Sequence, residues 1–394
     1  MQNSLPALRL KAHEERRLRA GHLWVYSNEV DIAQTPLKAF AAGALCRIEE
    51  ARGKPLGVGY VNPNTLLCAR VLSGKGDAKI DADWFVRRIE SALALRQRIY
   101  PTPHYRLLYG ESDGVPGLVV DRYGDLLVAQ FTTAGMEALK APVLEALQAA
   151  LKPRGMILRN DGAMRELEGL PLYEEIIGEV PDGAEVIESD CRFAAPIRSG
   201  QKTGWFYDQR DNRDRLARYV RGGRVLDVFS YVGAWSVRAA KAGAASVTCV
   251  DSSEPALQQA HGNAERNGIE LEALQGEALD VLKLLRSEGR QFEVVIVDPP
   301  ALIKRKKDFE AGLEHYATLN RAALNLLTPD GVLVSCSCSH HMDGESLQRV
   351  LLRESRRLGR RLQILEQGAQ GPDHPVHPAI PETRYLKAFF CRAS

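Results

Sequence analysis

From Arg224 onward, short runs rich in Val, Ile and Leu alternate with longer amphipathic stretches. The pattern predicts strands at 224–229, 246–250, 292–298, 331–337, 362–365 and 386–391. It predicts helices between them at 233–242, 254–267, 278–286, 316–327 and 344–358. Repeated strand–helix–strand units make right-handed crossovers, so this part of the chain is expected to be an α/β, doubly wound, mostly parallel sheet of Rossmann-like type. Ligands of such sheets sit at the carboxyl ends of the strands. The residues at those ends are therefore the ones to read for function.

The upstream chain lacks this alternation. Strand-like runs at 43–48, 56–60 and 67–72, separated by R-G-K-P and N-P-N turns, predict a small β-rich domain over 1–76. A helix at 83–99, strands at 118–120, 126–131, 156–158 and 186–188, and a helix at 136–151 predict a central α+β domain over 77–190. The doubly wound domain then occupies 191–394.

The chain's 394 residues, 45% hydrophobic and 26% charged, are those of an ordinary globular protein. No apolar run is long enough to span a bilayer, and the first residues carry no apolar core of a secretory signal. The expectation is a cytoplasmic protein without a membrane partner. Seven scattered cysteines with no C-x-x-C pair argue against a disulfide framework or zinc ribbon and predict mostly reduced core thiols. A net charge of +2 names no partner, but Lys11, Arg16, Arg17 and Arg19, then Lys304-Arg305-Lys306-Lys307, then 356–361, are local basic clusters. Such clusters are solvated surface first, and phosphate contacts where a second feature supports it.

The first predicted strand runs into V-L-D-V-F-S-Y-V-G-A-W-S, Val225 to Ser236. Without G-x-G-x-x-G this is not a dinucleotide loop, and Asp227 would repel a pyrophosphate. Asp227 suits an ammonium instead, with Phe229, Ser230, Tyr231 and Gly233 forming the turn around it. Asp251, at the end of the second strand, can accept from both hydroxyls of a ribose, although it could also serve as a helix N-cap. Gly276-Glu277-Ala278 is read as the end of a further, third strand lying before 292–298, and there Glu277 and Ala278 can meet an adenine. A ribose, an adenine and a cationic amino acid without phosphate describe S-adenosylmethionine, with S-adenosylhomocysteine as product.

The fourth strand exits through Asp298-Pro299-Pro300, whose prolines stiffen the turn and hold the Asp298 carboxylate at the methyl end of the cofactor. The fifth delivers V-S-C-S-C-S-H-H, Val334 to His341, to the same rim. A cytosine or uracil C5 attacks a methyl group only after a thiolate has added to C6. Cys336 and Cys338 share a face, with Cys338 nearer the rim and Cys336 beneath it. Cys338 is thus the expected nucleophile. A metal site here is disfavoured, because C-x-C lacks the usual spacer and adjacent histidines diverge. His340 and His341 are read as loop residues.

G-Q-K-T-G-W-F-Y-D-Q-R (Gly200–Arg210), the loop after Val225, D-P-P, S-C-S (Ser337–Ser339) and G-E-S-D-G-V-P-G (Gly110–Gly117) together resemble the RlmI/RlmO-type methyltransferases, which make 5-methylcytosine in large-subunit ribosomal RNA. H-L-W-V-Y-S (His22–Ser27), Asp373-His374-Pro375 and Tyr385-Leu386-Lys387 extend the resemblance over essentially the whole chain. It implies a PUA RNA-binding domain, a central α+β domain and a class I methyltransferase domain. It implies that Gln209 and Arg210 help hold the cofactor, and it supports Cys338 as nucleophile and Asp298 as the carboxylate facing the base. Here the acid after the third strand is Glu277, with Asp280 competing, and Leu302 stands where the family has Phe after D-P-P. The implied partner is large-subunit ribosomal RNA, with Pro299, Pro300, Lys304 and Arg305 near the base, and Lys11, Arg17, His22 and Trp24 in the N-terminal domain. The oligomeric state is left open, a homodimer included.

Overall fold

The structure is a computed structural model that describes residues 5–394. The chain forms two compact units: one of the segments up to Ala184, Pro196–Trp205 and Pro372–Thr383, the other of Glu185–Ala195, Phe206–Gly371 and Arg384–Ser394. In the first unit Ala7–Arg9, Ala44–Glu49, Pro55–Val61, Leu67–Ser73 and Trp24–Tyr26 make one five-stranded sheet, in that spatial order. Tyr173–Gly178, Gly155–Asn160, Leu126–Phe131, Leu118–Tyr123 and His104–Tyr109 make a second. The helices Ala82–Ile99 and Lys140–Leu151 contribute Phe85, Ile89, Val143 and Leu147 to its core. The single helix expected at 136–151 is two, Ala134–Ala138 and Lys140–Leu151, broken at Leu139, where φ/ψ of −95°/12° leaves the helical region.

The second unit is built on seven strands: β1 Arg224–Val228, β2 Ser246–Asp251, β3 Glu272–Gln275, β4 Phe292–Val297, β5 Leu327–Ser337, β6 Leu362–Gly368 and β7 Lys387–Ala393. Their spatial order is β3-β2-β1-β4-β5-β7-β6, with β1 to β5 parallel and β7 antiparallel to both neighbours. The crossover helices are α1 Ala234–Lys241, α2 Glu254–Arg266, α3 Ala278–Ser287, α4 Phe309–Leu326 and α5 Gly344–Arg357. The central strands are buried on both faces, so they read as near-continuous apolar runs such as F-E-V-V-I-V. Helix α4 starts seven residues before the expected 316, counting from Phe309. Its first turn includes Gly312, where a Cβ would meet Ile303 Cγ1 at 2.3 Å. All seven cysteines are reduced thiols, six of them buried and Cys338 partly exposed. No helix among the described residues is long and apolar enough to cross a membrane.

Candidate active site

At the end of β1 the chain turns through Phe229 to Gly233 into α1. The amides of Phe229 and Ser230 donate to Val250 O at 2.9 and 3.0 Å, which ties the turn to β2. Phe229 and Tyr231 hold positive φ of 67° and 48°. Bulky residues adopt that conformation where surrounding contacts impose it, commonly beside ligands. Gly233 has φ 77°, and a Cβ there would lie 2.9 Å from Ala260 Cβ, so a side chain is excluded both by conformation and by α2.

Asp227 lies wholly buried beneath this turn. Its Oδ2 accepts from Ser236 Oγ at 2.7 Å, while Oδ1 is buried with no hydrogen-bond partner. Burial pushes its carboxyl up to about 7, the Ser236 hydroxyl opposing and the Asp298 and Asp251 charges adding to the rise. An orphaned buried carboxylate oxygen is a costly feature on its own, and the ammonium of an amino-acid moiety would satisfy it. The unfolded chain ionises Asp227 in the ordinary carboxylate range, whereas the folded apoprotein holds its proton to about pH 7. Stability from this group is therefore present at acid pH and lost as pH rises through that window. Asp227→Asn should flatten that loss, raising apoprotein stability near pH 8 by on the order of 1–3 kcal/mol in chemical denaturation. The same variant should lose S-adenosylhomocysteine binding. Equal pH dependence in the two proteins would contradict the assignment.

Asp251 braces the same turn from β2. Its Oδ2 accepts from Tyr231 N at 2.8 Å and its Oδ1 from Ser253 N at 2.9 Å. The N-cap of α2 is Ser253, whose hydroxyl accepts from Ala256 N, so Asp251 is not the cap. It is partly exposed, and carboxylate oxygens each accept more than one hydrogen bond, which leaves capacity for ribose hydroxyls. Glu277 is exposed at the start of α3, beside the half-buried Ala278. Its competitor Asp280 is paired with Lys283 at 3.0 Å on the solvent face.

Asp298, at the exit of β4, is held by two donors. Gln209 Nε2 lies 2.9 Å from both carboxylate oxygens and Trp235 Nε1 lies 3.0 Å from Oδ2. Asn212 Nδ2 donates to Gln209 Oε1 at 2.7 Å, which fixes the Gln209 amide with its NH2 toward Asp298. Burial pushes the Asp298 carboxyl up to about 6, partly opposed by the Trp235 hydrogen bond. The expected roles of Gln209 and Arg210 thus separate geometrically. Gln209 supports Asp298, whereas Arg210 lies over the Tyr207 ring at 5.3 Å and 3.7 Å from Glu188, an acid also bound by Arg213.

Strand β5 carries Cys336 into the core, where burial drives its thiol far above the usual range. Cys338 is partly exposed, with Sγ 3.9 Å from Pro299 O, so thiol and D-P-P exit share one rim. The flanking serines pin it. Ser337 Oγ donates to Tyr316 OH at 2.9 Å, while Ser339 Oγ accepts from Ile303 N and lies 3.1 Å from Tyr316 OH. His340 and His341 are exposed, His340 lying 5.6 Å from the Tyr385 ring.

Pro299 is buried and Pro300 exposed, as are Lys304, Lys306 and Lys307. Arg305 is exposed as well and pairs with Asp308 at 2.8 Å. In the N-terminal sheet Lys11 is exposed, its Nζ on Asn28 O at 2.7 Å. Arg17 is committed to Glu29 at 2.7 Å and lies over Tyr26. His22, edge-on to Trp24, is held toward its neutral form by burial and by Arg17. Trp24 is half-buried, its indole donating to Glu111 at 2.9 Å. Sequence reasoning gives no individual role to Trp235, Asn212, Tyr316 or Lys387. Trp235 falls within the cofactor loop motif, but only the adjacency of β1 and β4 brings its indole to Asp298.

The strand order with its single antiparallel strand is that of a class I S-adenosylmethionine-dependent methyltransferase, here preceded by a separate N-terminal β-sheet module. The family model for S-adenosylmethionine-dependent methyltransferases matches residues 134–392, and that for the PUA-like domain matches 8–74. The chain is 37% identical over 389 residues to ribosomal RNA large subunit methyltransferase I of Erwinia tasmaniensis, covering 96% of this chain and 97% of that one. It is also 37% identical to the Klebsiella pneumoniae protein of that name over 395 residues, covering 98% of each. The chain belongs to the ribosomal RNA large subunit methyltransferase I family, and S-adenosylmethionine is its cofactor. The fold is shared with the methyltransferase SMU.776 solved with S-adenosylhomocysteine, at TM-score 0.84, 20% identity, and coverage of 98% and 100%. A methyltransferase structure from Streptococcus mutans gives TM-score 0.82 at the same identity and coverage.

Proposed function

We propose that this protein methylates C5 of a cytosine in large-subunit ribosomal RNA through a covalent adduct at Cys338. The observation that carries the reading is the partly exposed Cys338 thiol on the same rim as Asp298, 3.9 Å from the Pro299 carbonyl. Methylation of an exocyclic amine needs no thiol, and the residues after D-P-P are Ala301 and Leu302 rather than a base-stacking aromatic.

Bound S-adenosylmethionine supplies the electrophilic sulfonium methyl that C5 takes. Cys338 Sγ adds to C6, breaking the C5–C6 double bond and placing electron density on C5. Asp298 faces the base near N3. With its carboxyl held near pH 6, it can donate a proton there while Sγ adds and recover it when the adduct collapses. A solvent water takes the C5 proton as the Sγ–C6 bond breaks, which restores the pyrimidine and the thiolate. Asp227 and Asp251 hold the amino-acid and ribose ends of the cofactor, and Glu277 and Ala278 stand at the adenine end. Lys304, Lys306 and Lys307, exposed just after D-P-P, suit the RNA backbone, as does Lys11 in the PUA-like domain, where the ring of Trp24 suits base stacking.

The direct test is transfer of labelled methyl groups to ribosomal RNA, followed by digestion to nucleosides. Label in 5-methylcytidine is expected. Label in N2-methylguanosine would replace the reading by amine methylation, and absence of transfer together with absence of cofactor binding would point to a non-catalytic RNA-binding or assembly role.

A further inference from the structure

Lys387 opens β7, and the antiparallel register sets it opposite Ser337, the residue before Cys338. Its Nζ donates to Ser339 O and to Tyr385 O, each at 2.7 Å. Hydrogen bonding to the residue after the thiol, and strand pairing with the residue before it, fix a half-buried ammonium against the S-C-S turn. An ammonium has three N–H groups, so two carbonyls leave one for a further neighbour. Nothing in the cofactor site or in the placement of Asp298 calls for this cation.

We propose that Lys387 is the positioning residue that holds Cys338 as a thiolate, its charge favouring ionisation and its two carbonyl contacts fixing where that charge lies. The proposal rests on Cys338 being the nucleophile. Ionisation sends the thiol proton to solvent and leaves a thiolate–ammonium pair, with no other bond made or broken. A cation beside a thiol favours the charged sulfur.

The surrounding titratable groups are consistent with this role. Tyr316 is bound by both flanking serines and pushed up by burial, so it stays neutral. Asp298 is held by Gln209 and Trp235, and Cys336 is un-ionised in the core. Asp343 N-caps α5 by accepting from Ser346 N, and His340 is exposed against Tyr385. Lys387 itself is lowered to about 8 by burial, with Cys338 and Asp343 acting in the opposite sense. It therefore carries its charge at neutral pH and loses it in mildly alkaline solution. Activation of the thiol is expected to be greatest below that point.

The test is alkylation of full-length protein by iodoacetamide across the neutral and alkaline range, with modification of Cys338 followed by peptide mass spectrometry and Cys338→Ala as background. The other six cysteines are buried and contribute little. In the wild type the midpoint should fall below the ordinary thiol value of about 8.5. Lys387→Gln keeps an N–H donor for the carbonyls without the charge, and should raise the midpoint by about one unit or more. Lys387→Arg keeps the charge and should stay near the wild type. A wild-type midpoint at or above about 8.5 overturns the proposal without recourse to any variant. An unchanged midpoint in Lys387→Gln overturns it too, as does an equal rise in Gln and Arg variants, which would mark a packing role. Because alkylation reports the thiol and not methyl transfer, this failure is separable from failure of the cytosine reading, which shows as undiminished methylation by Cys338→Ala.

Discussion

Cys338→Ala is expected to lower methyl transfer to ribosomal RNA by on the order of 10⁴-fold or more, because without the adduct C5 is a poor nucleophile. Binding of S-adenosylhomocysteine should stay within about two-fold in calorimetry, since substitution of a small, partly exposed side chain is usually tolerated. The thiol's contact to Pro299 O is long, and the turn is held by Ser337, Ser339 and Tyr316 rather than by sulfur. Cys336→Ala is the contrasting control. Its side chain is wholly buried, so its removal should cost about 1–2 kcal/mol of stability and leave the chemistry largely intact. Should Cys338→Ala keep a tenth or more of wild-type single-turnover rate (about 1.4 kcal/mol of barrier), the covalent mechanism fails. If instead Cys336→Ala is the inactive variant, the nucleophile has been assigned to the wrong thiol.

Asp251→Ala should weaken S-adenosylhomocysteine binding by about 100-fold, a loss of nearly 3 kcal/mol, which is the scale of two charge-assisted hydrogen bonds. The effect has two sources. The variant removes the proposed acceptor for the ribose hydroxyls, and it takes from Tyr231 N and Ser253 N the carboxylate that now holds them at 2.8 and 2.9 Å. Tyr231 sits at φ 48°, a conformation the turn must impose, so the loop should relax as well as lose its ligand. Asp280→Ala, which breaks only an exposed pair with Lys283, should bind as the wild type does. Affinity within about three-fold of wild type in Asp251→Ala, under 1 kcal/mol, would remove Asp251 from the cofactor site.

Much of the catalytic unit is legible in the amino-acid sequence. Alternation of apolar runs and amphipathic stretches specifies a parallel sheet because each period dictates one kind of element and the crossover has one hand. Once the strands are placed, their carboxyl ends are known, so Asp227, Asp251, Asp298 and Cys338 can be named from local sequence. The ordering of Cys338 over Cys336 also follows, since a two-residue period puts both on one face and only distance along the strand separates them. Polar or short strands give no such signal. Ala7–Arg9, Trp24–Tyr26, His104–Tyr109, Tyr173–Gly178 and Cys191–Ala195 were not anticipated. In Y-E-E-I-I-G the apolar residues are adjacent rather than alternating, and the strand is made by its pairing with Gly155–Asn160.

What tertiary structure alone decided is the environment of the reactive groups. Gln209 reaches Asp298 across 89 residues of sequence, Trp235 reaches it across 63, and Lys387 reaches the carbonyl of Ser339 across 48. No window of sequence contains both members of such a pair, because strand order in the sheet differs from strand order in the chain. β4 lies between β1 and β5, and β7 between β5 and β6. The sequence by itself thus determined which acids and which thiol stand at the rim. Only the packed sheet decided which donors hold Asp298 and which ammonium binds the turn carrying Cys338, since burial and charge proximity are properties of neighbours in space.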